Sequence, residues 1–150
     1  VLRTGNKSLG YLTLVLDIVK AVVPVIYIKF NYPDLVYISA LCSFLGHLFP
    51  VWLKFKGGKG VATTMGSLLA LMPGVTIIST AVLLAVVYIT RYVSLGSLVG
   101  VSVAVLLSLV TGNAQYTFAT LMMALLVAYK HKDNIERLKN KTEPKISFKQ

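Results

Sequence analysis

The most distinctive local sequence is a basic, glycine-rich segment, Lys54-Phe55-Lys56-Gly57-Gly58-Lys59-Gly60, which runs directly into a predicted helix beginning at Val61. Glycines let backbone N–H groups come close to an anion, and a helix N-terminus adds unpaired donors and partial positive charge. Lys56 and Lys59 add full positive charges. The segment predicts a cradle for a phosphate group, with a flexible basic loop as the alternative. It is not a Walker A loop, because Gly60 follows Lys59 where that motif needs Ser or Thr.

A second group of polar residues lies in the basic tail that begins at Lys130. If residues 131–138 form a helix, His131 and Asn134 lie one turn apart on a face that also carries Ile135 and Leu138. On spacing alone, a helix beside the membrane with incidental polar residues is the favoured interpretation, and a functional surface is the alternative.

The composition is that of a membrane protein. Of 150 residues, 56% are hydrophobic and 13% are charged, with a mean hydropathy of +0.76, whereas soluble domains carry about 25% charged residues. The formal net charge of +10 would suggest nucleic-acid binding in a soluble protein. Here the basic residues lie between apolar runs, so no nucleic-acid partner is predicted. Two histidines and one cysteine give no recognisable zinc spacing, and no metal or cofactor is predicted.

The apolar runs predict an all-α, polytopic membrane protein with about six membrane-crossing helices. The runs are Gly10–Phe30, Leu35–Leu53, Val61–Met72, Gly74–Thr90, Val93–Thr111 and Gln115–Tyr129. About 20 apolar residues span the hydrocarbon core of a bilayer. The third run is shorter, so we expect a half-membrane or re-entrant helix that is buried in protein.

The basic residues favour one orientation across the membrane. With a cytoplasmic N-terminus and six crossings, thirteen of the fifteen Lys and Arg residues fall on the cytoplasmic side, as the positive-inside rule requires. The exceptions are Lys20 and Lys29. Both the glycine-rich segment and the basic tail then face the cytoplasm.

Two charged residues, Asp17 and Lys20, lie in the middle of the first apolar run. They are three residues apart, so they share a helix face and can form an ion pair. Charges at membrane depth are costly, so this face is expected to contact protein rather than lipid. A structural ion pair between packed helices is favoured over a direct role in a site. His47, in a mostly apolar helix, is also more simply explained by packing.

Three stretches of the chain carry a resemblance to a known family: Gly46–Thr63, His131–Ile146, and Val1–Gly5 with Leu16–Lys20. In this order they look like the central signature, the C-terminal signature, and the end of the N-terminal signature with the helix after it. The family that they resemble is the bacterial membrane acyltransferases that acylate glycerol 3-phosphate from acyl phosphate. The order and spacing fit over essentially the whole chain.

The resemblance implies a multi-pass enzyme of the bacterial inner membrane, with about seven crossings and an active site that faces the cytoplasm. Residues 1–150 are then expected to form a single transmembrane acyltransferase domain that lacks its first helix and part of the N-terminal signature. The oligomeric state stays open, a monomer included.

The resemblance also implies roles for individual residues. Those that would hold a phosphate are Gly57, Gly58, Lys59 and Gly60, with Lys56 as a weaker candidate. Those that would help to bind glycerol 3-phosphate are Arg3, Ser94, His131 and Asn134. Of these, His131 and Asn134 are the expected catalytic residues. Glu143 belongs to the C-terminal signature without an assigned role.

The implied reaction transfers a fatty acyl group from acyl phosphate to the sn-1 hydroxyl of glycerol 3-phosphate. It yields lysophosphatidic acid and phosphate, in the first step of phospholipid biosynthesis. Lysine, arginine and oriented N–H groups suit two anionic substrates, and either His131 or a substrate phosphate could take the hydroxyl proton. The alternative is an anion transporter or channel with a cytoplasmic phosphate-binding loop, which the short helix and the charges within the first run would also fit.

Overall fold

The computed structural model describes residues 7–55 and 57–147, and over these residues it is helical without strands. The described α-helices are α1 (Lys7–Asn31), α2 (Val36–Leu48), α3 (Val61–Leu71), α4 (Pro73–Thr90), α5 (Val93–Val110), α6 (Ala114–Lys130) and α7 (Lys132–Lys139). Short 3₁₀ turns occur at Pro33–Leu35 and Val51–Leu53. The chain divides into two compact units, Val1–Met72 and Pro73–Gln150.

Helix α1 is the longest helix of the first unit, with 25 residues. At 1.5 Å per residue it is about 37 Å long, enough to cross a bilayer. Several of its large apolar side chains are exposed, including Leu12, Val15 and Val23, whereas Ala21 and Val25 are fully buried. This division is expected of a helix that turns one side to lipid and the other to protein.

Helix α3 is buried in the first unit, where it packs against α1 and α2. Small residues permit the close approach. A Cβ added at Gly66 would lie 2.7 Å from the carbonyl oxygen of Ile18 in α1, and the Ser67 hydroxyl donates to the carbonyl oxygen of Ala40 in α2 at 3.5 Å. The expectation that this short helix is buried in protein is therefore confirmed.

Helix α2 is shorter than the apolar run that predicted it. It ends at Leu48, because Pro50 lacks an N–H group and disfavours helical backbone before it. After a 3₁₀ turn, Lys54 and Phe55 adopt left-handed backbone, with φ of 50° and 62°. The chain thereby turns back to the end of α2, where the Gly57 N–H donates to the carbonyl oxygen of Leu48 at 3.2 Å.

The second unit is built on the tightly packed pair α4 and α5, joined at Arg91 with a φ of 63°. A Cβ added at Gly96 would lie 2.8 Å from the carbonyl oxygen of Leu83, and one at Gly100 would lie 2.8 Å from the Leu83 Cβ. The small residues of α5 therefore allow close helix packing. Helix α6 packs on α5, and α7 contacts both.

Four segments of the described residues are long and apolar enough to cross a membrane: Ser8–Asn31, Pro33–Leu53, Pro73–Thr90 and Val93–Val110. Helix α3 is a shorter apolar helix, and α6 has 17 residues. The all-α membrane class is confirmed. The count of about six crossings is not confirmed by these lengths and stays a prediction.

Candidate active site

The residues predicted from the sequence to form the site are distributed over both units. Arg3 and Lys56 lie outside the described residues. The glycine loop, defined here as Gly57–Gly60, belongs to the first unit, and Ser94, His131 and Asn134 belong to the second. Each group is described within its own unit.

The glycine loop packs directly against the end of α2. A Cβ at Gly57 would overlap the carbonyl oxygen of His47 and lie 2.7 Å from that of Leu48. At Gly58, a Cβ would overlap the imidazole ring of His47. Both positions require glycine because any side chain would collide with α2, which is a steric reason beyond the backbone freedom inferred from the sequence.

The loop ends where α3 begins. Gly60 has a φ of 83°, in the left-handed region that favours glycine, and its carbonyl oxygen accepts from the Thr64 N–H at 2.8 Å and the Thr63 hydroxyl at 3.0 Å. Glycine has no side chain to cap the helix, so the first-turn N–H groups of α3 stand at the end of the loop. The side chain of Lys59 is exposed beside them. Glycine backbone, a helix N-terminus and a lysine are therefore adjacent, a combination of donors and charge that suits an anion.

In the second unit, the carboxylate of Glu143 accepts hydrogen bonds from three side chains. The Ser94 hydroxyl and the Asn134 amide both donate to Oε1 of Glu143, at 2.7 Å and 2.6 Å. Nε of Arg137 donates to Oε2 at 2.8 Å. Ser94, Asn134 and Glu143 are all buried, with exposed fractions of 4%, 6% and 8%. We call these four residues the Glu143 cluster.

The Glu143 carboxylate is held in its charged form by its partners. Burial alone would raise the pKa of Glu143, but the hydrogen bonds from Ser94, Asn134 and Arg137 and the positive charge of Arg137 outweigh burial and lower this pKa from 4.5 to about 2. The carboxylate is therefore ionised at neutral pH and acts as a fixed acceptor for the surrounding donors.

The tail folds back to bring Glu143 to this position. Helix α7 is followed by Lys141 with a φ of 58°, and the N–H groups of Thr142 and Glu143 donate to the carbonyl oxygen of Arg137 at 2.8 Å and 3.2 Å. The following segment is tied to the α4–α5 turn by a hydrogen bond from the Ile146 N–H to the carbonyl oxygen of Arg91, 2.9 Å long. These contacts fix the carboxylate against α5 and α7.

His131 lies between α6 and α7 and is 2% exposed. Its Nδ1 lies 2.8 Å from the carbonyl oxygen of Val127. A carbonyl oxygen only accepts, so Nδ1 carries the proton and Nε2 is the basic nitrogen of the neutral ring. The histidine is thus set in the tautomer in which Nε2 can take a proton.

The structure brings Ser94 and Asn134 together through a residue to which the sequence assigned no role. Glu143 and Arg137 are the functional candidates that the sequence argument missed. One signal was available, since Glu143 is one of only five acidic residues in the chain and lies in a tail rich in cations. What the sequence could not show is that a buried serine hydroxyl of α5 faces this carboxylate.

We expect the Glu143 cluster to lose stability in acid. Because the pKa of Glu143 is lower in the folded protein, its stabilisation is complete above about pH 4.5 and is lost as the pH falls toward about 2. The size of this effect is about 3 kcal/mol. Melting temperatures of the wild type and of Glu143→Gln, measured in detergent from pH 6 to pH 3, test it. The wild-type value should fall more steeply, and parallel curves would contradict the assignment.

Comparison with known proteins identifies relatives over almost the whole chain. A family model described as glycerol-3-phosphate acyltransferase matches residues 1–141. A glycerol-3-phosphate acyltransferase of Pelagibacter ubique is 52% identical over 150 residues, covering 98% of this chain and 76% of that protein. One from Sinorhizobium medicae is 43% identical over 149 residues, covering 99% of this chain and 73% of that protein.

Two solved structures share the fold. Both are crystal structures of PlsY (YgiH), an integral membrane glycerol 3-phosphate acyltransferase, at 33% sequence identity over 97% of this chain. The glycerol 3-phosphate form superposes with a TM-score of 0.94 over 75% of that chain. The lysophosphatidic acid form superposes with a TM-score of 0.93 over 76% of that chain.

Proposed function

The chain belongs to the glycerol-3-phosphate acyltransferase family, and from this membership we propose that it transfers a fatty acyl group from acyl phosphate to the sn-1 hydroxyl of glycerol 3-phosphate. The products are lysophosphatidic acid and inorganic phosphate. It is an integral membrane acyltransferase, and the acyl-phosphate donor and the sn-1 position are the new elements of the proposal. The observation that carries the proposal is the glycine loop, which packs against the end of α2 and leads into the N-terminus of α3.

The glycine loop is the proposed site for the phosphate of the acyl donor. An acyl phosphate is a mixed anhydride, and its phosphate leaves as an anion when the carbonyl carbon is attacked. Backbone N–H groups at the start of α3 and the charge of Lys59 stabilise that anion without rearrangement, which is how preorganised donors lower a barrier. Lys56 is proposed to add a second charge.

The second unit is the proposed site for glycerol 3-phosphate, with Arg3 as an additional ligand of its phosphate. Ser94 and Asn134 are fixed by the same oxygen of Glu143, so their remaining polar atoms have a defined direction before any substrate binds. This preorganisation favours one orientation of the acceptor hydroxyl.

The chemical step forms one bond and breaks one. The sn-1 oxygen bonds to the carbonyl carbon, the bond from that carbon to the phosphate oxygen breaks, and the hydroxyl proton passes to a base. Two bases suit the step, Nε2 of His131 and a phosphate oxygen of a substrate. No covalent acyl-enzyme is required.

His131→Asn distinguishes these two bases. If Nε2 of His131 takes the proton, the variant loses the acidic limb of the kcat/KM profile and its kcat falls by about 10²- to 10⁴-fold. If a substrate phosphate takes the proton, the variant keeps the wild-type pH profile with a smaller loss. Initial rates from pH 5 to pH 9 provide the comparison.

We also propose that residues 1–150 act as one acyltransferase domain in the bacterial inner membrane, with the glycine loop and the basic tail in the cytoplasm and with α1 to α6 as six crossings. The support is the charge distribution, since thirteen of fifteen cations fall on one side in this arrangement.

The proposed reaction is tested with the intact protein in detergent or lipid. Labelled glycerol 3-phosphate is supplied with acyl phosphate or with acyl-CoA, and lysophosphatidic acid is measured. We expect product from acyl phosphate only. Product from acyl-CoA alone would overturn the proposed donor, and a folded sample that is inactive with both donors would overturn the proposed function.

Lys59→Ala should lower turnover without unfolding the protein. The side chain is exposed, so the loss of its charge removes anion stabilisation rather than packing, and we expect kcat/KM for acyl phosphate to fall by about 10²-fold. Lys54→Ala, an exposed cation three residues before the glycine loop, is the matched control and should stay near the wild-type rate. If kcat/KM for acyl phosphate stays near the wild-type value in both variants, Lys59 does not belong to the site.

A further inference from the structure

A cluster of three polar side chains joins α1 to the end of α2 in the first unit. Lys20 Nζ donates to Oδ1 of Asp17 at 2.5 Å and lies 2.8 Å from Nδ1 of His47. Oδ1 of Asp17 is farther from the same ring nitrogen, at 3.4 Å. The side chains of Asp17 and His47 are only 21% and 13% exposed. The expected Asp17–Lys20 ion pair is therefore present, within α1, and it contacts His47 of α2. Lys20 is 47% exposed, so the expectation that this face contacts protein holds for Asp17 and only in part for Lys20.

The arrangement determines the tautomer of His47. An ammonium group has three donors and no acceptor, so Nδ1 of His47 must accept the hydrogen bond from Lys20. The neutral ring then carries its proton on Nε2. This is the opposite tautomer to that of His131, whose Nδ1 donates to a carbonyl oxygen.

The protonated edge of the His47 ring faces the glycine loop. A Cβ built on Gly58 would overlap Nε2 and would lie 2.7 Å from Cε1, so this edge of the ring lies directly against the Gly58 backbone. The preceding residue, Gly57, lies against the backbone carbonyl of His47 itself. Two consecutive loop residues, Gly57 and Gly58, thus pack against one residue of α2, His47.

We propose that His47 is a positioning residue of the glycine loop, held by the Asp17–Lys20 pair with its Nε2–H directed at Gly58. The proposal rests on the proposed function, in which this loop binds the phosphate of the acyl donor. It also gives a reason for Lys20 within the first apolar run. The ammonium group of Lys20 donates to Nδ1 of His47, so the ring proton stays on Nε2, the nitrogen that lies against Gly58.

The tautomer is measured directly in the wild type. The 150-residue sequence contains two histidines, and ¹⁵N-histidine labelling with His47→Asn for assignment separates their signals. We expect a ring protonated on Nε2 for His47 and on Nδ1 for His131. Lys20→Met should convert the His47 signal to a mixture of tautomers. A wild-type His47 protonated on Nδ1 would overturn the proposal.

Steady-state kinetics test the consequence for the loop. In His47→Asn the amide oxygen can accept from Lys20 in place of Nδ1, but no group reaches the position of Nε2, whereas in His47→Gln the amide nitrogen can reach that position. We expect His47→Asn to raise the KM for acyl phosphate about tenfold, or about 1.4 kcal/mol, because Gly58 loses the ring edge that it packs against, while the KM for glycerol 3-phosphate changes less than about twofold. His47→Gln should recover most of the loss. Cys42→Ser, an exposed position in the same helix, is the control.

The possible failures are distinguishable. If the wild type makes no lysophosphatidic acid from acyl phosphate, the proposed function fails, and the tautomer measurement still reports on the cluster. If product forms but His47→Asn keeps the wild-type KM for acyl phosphate, the inference about His47 fails alone. If His47→Asn and His47→Gln are equally impaired for both substrates, His47 has a general structural role, which also overturns the proposal.

Discussion

Replacing Gly57 with alanine is expected to reduce kcat/KM for acyl phosphate by at least about a hundredfold, because a displacement of about 1 Å in a substrate-positioning group is sufficient for such a loss. The added Cβ would overlap the carbonyl oxygen of His47 and lie 2.6 Å from Cδ of Pro50 and 2.7 Å from the carbonyl oxygen of Leu48. Two of these three atoms are backbone and the third belongs to a rigid ring. The loop must therefore move away from α2.

Two further glycine substitutions, Gly58→Ala and Gly46→Ala, are compared with Gly57→Ala for their effect on activity. At Gly58 the added Cβ would meet the imidazole of His47, a side chain that can give way if its contact with Lys20 breaks, so Gly58→Ala should be impaired less than Gly57→Ala. At Gly46, in α2, nothing lies within 4 Å of an added Cβ. Gly46→Ala should retain activity and gain up to about 1 kcal/mol, because alanine is the better helix former. Initial rates and melting temperatures are measured for all three, and wild-type kinetics in Gly57→Ala would show that the packed loop is not required.

Most helices could be predicted because apolar length is a local property. The runs Gly74–Thr90 and Val93–Thr111 predict α4 and α5 to within one residue at each end, since Pro73 and the Arg91-Tyr92 pair mark the boundaries. The second run predicted a longer helix than α2, because residues 49–53 are apolar although the α-helix ends at Leu48 and a 3₁₀ turn follows at Val51–Leu53. Hydrophobicity alone does not distinguish an apolar 3₁₀ turn from the last turn of a helix.

The position of the glycine loop could be predicted from residue types. The reasons why each of its positions requires glycine could be predicted only in part. Backbone freedom was a sound expectation for Gly60, which has a positive φ. Gly57 and Gly58 are required because of what lies beside them, the backbone and ring of His47. That contact depends on how the chain reverses after α2, which the sequence pattern does not specify.

The Glu143 cluster depends on contacts between residues far apart in sequence. Ser94 and Glu143 are 49 positions apart, and in an apolar helix Ser94 resembles the small residues that serve close packing. By its i,i+4 spacing in α7, Asp133 would be the local partner for Arg137. Among the described residues Arg137 pairs instead with Glu143, a buried carboxylate that requires donors more strongly than a solvated one.

Glu143→Ala is expected to produce the largest combined loss of stability and activity in the second unit. It leaves the Ser94 hydroxyl, the Asn134 amide and Nε of Arg137 without their acceptor. Breaking a buried ion pair on one side costs about 3–5 kcal/mol. Arg137 is 42% exposed and recovers hydrogen bonds to water, so most of the cost comes from Ser94 and Asn134, which are 4% and 6% exposed.

The effect on activity follows from the same geometry. Without the carboxylate, Ser94 and Asn134 are no longer held toward one point, and we expect kcat/KM for glycerol 3-phosphate to fall more than about a hundredfold. Glu143→Gln retains one carbonyl oxygen but turns an amide toward the donors, so its loss should be intermediate. Glu136→Gln makes the same chemical change on the exposed face of α7 and should lie within about 0.5 kcal/mol of wild type. If Glu143→Gln matches Glu136→Gln in melting temperature and in rate, the charge of Glu143 does not organise the site.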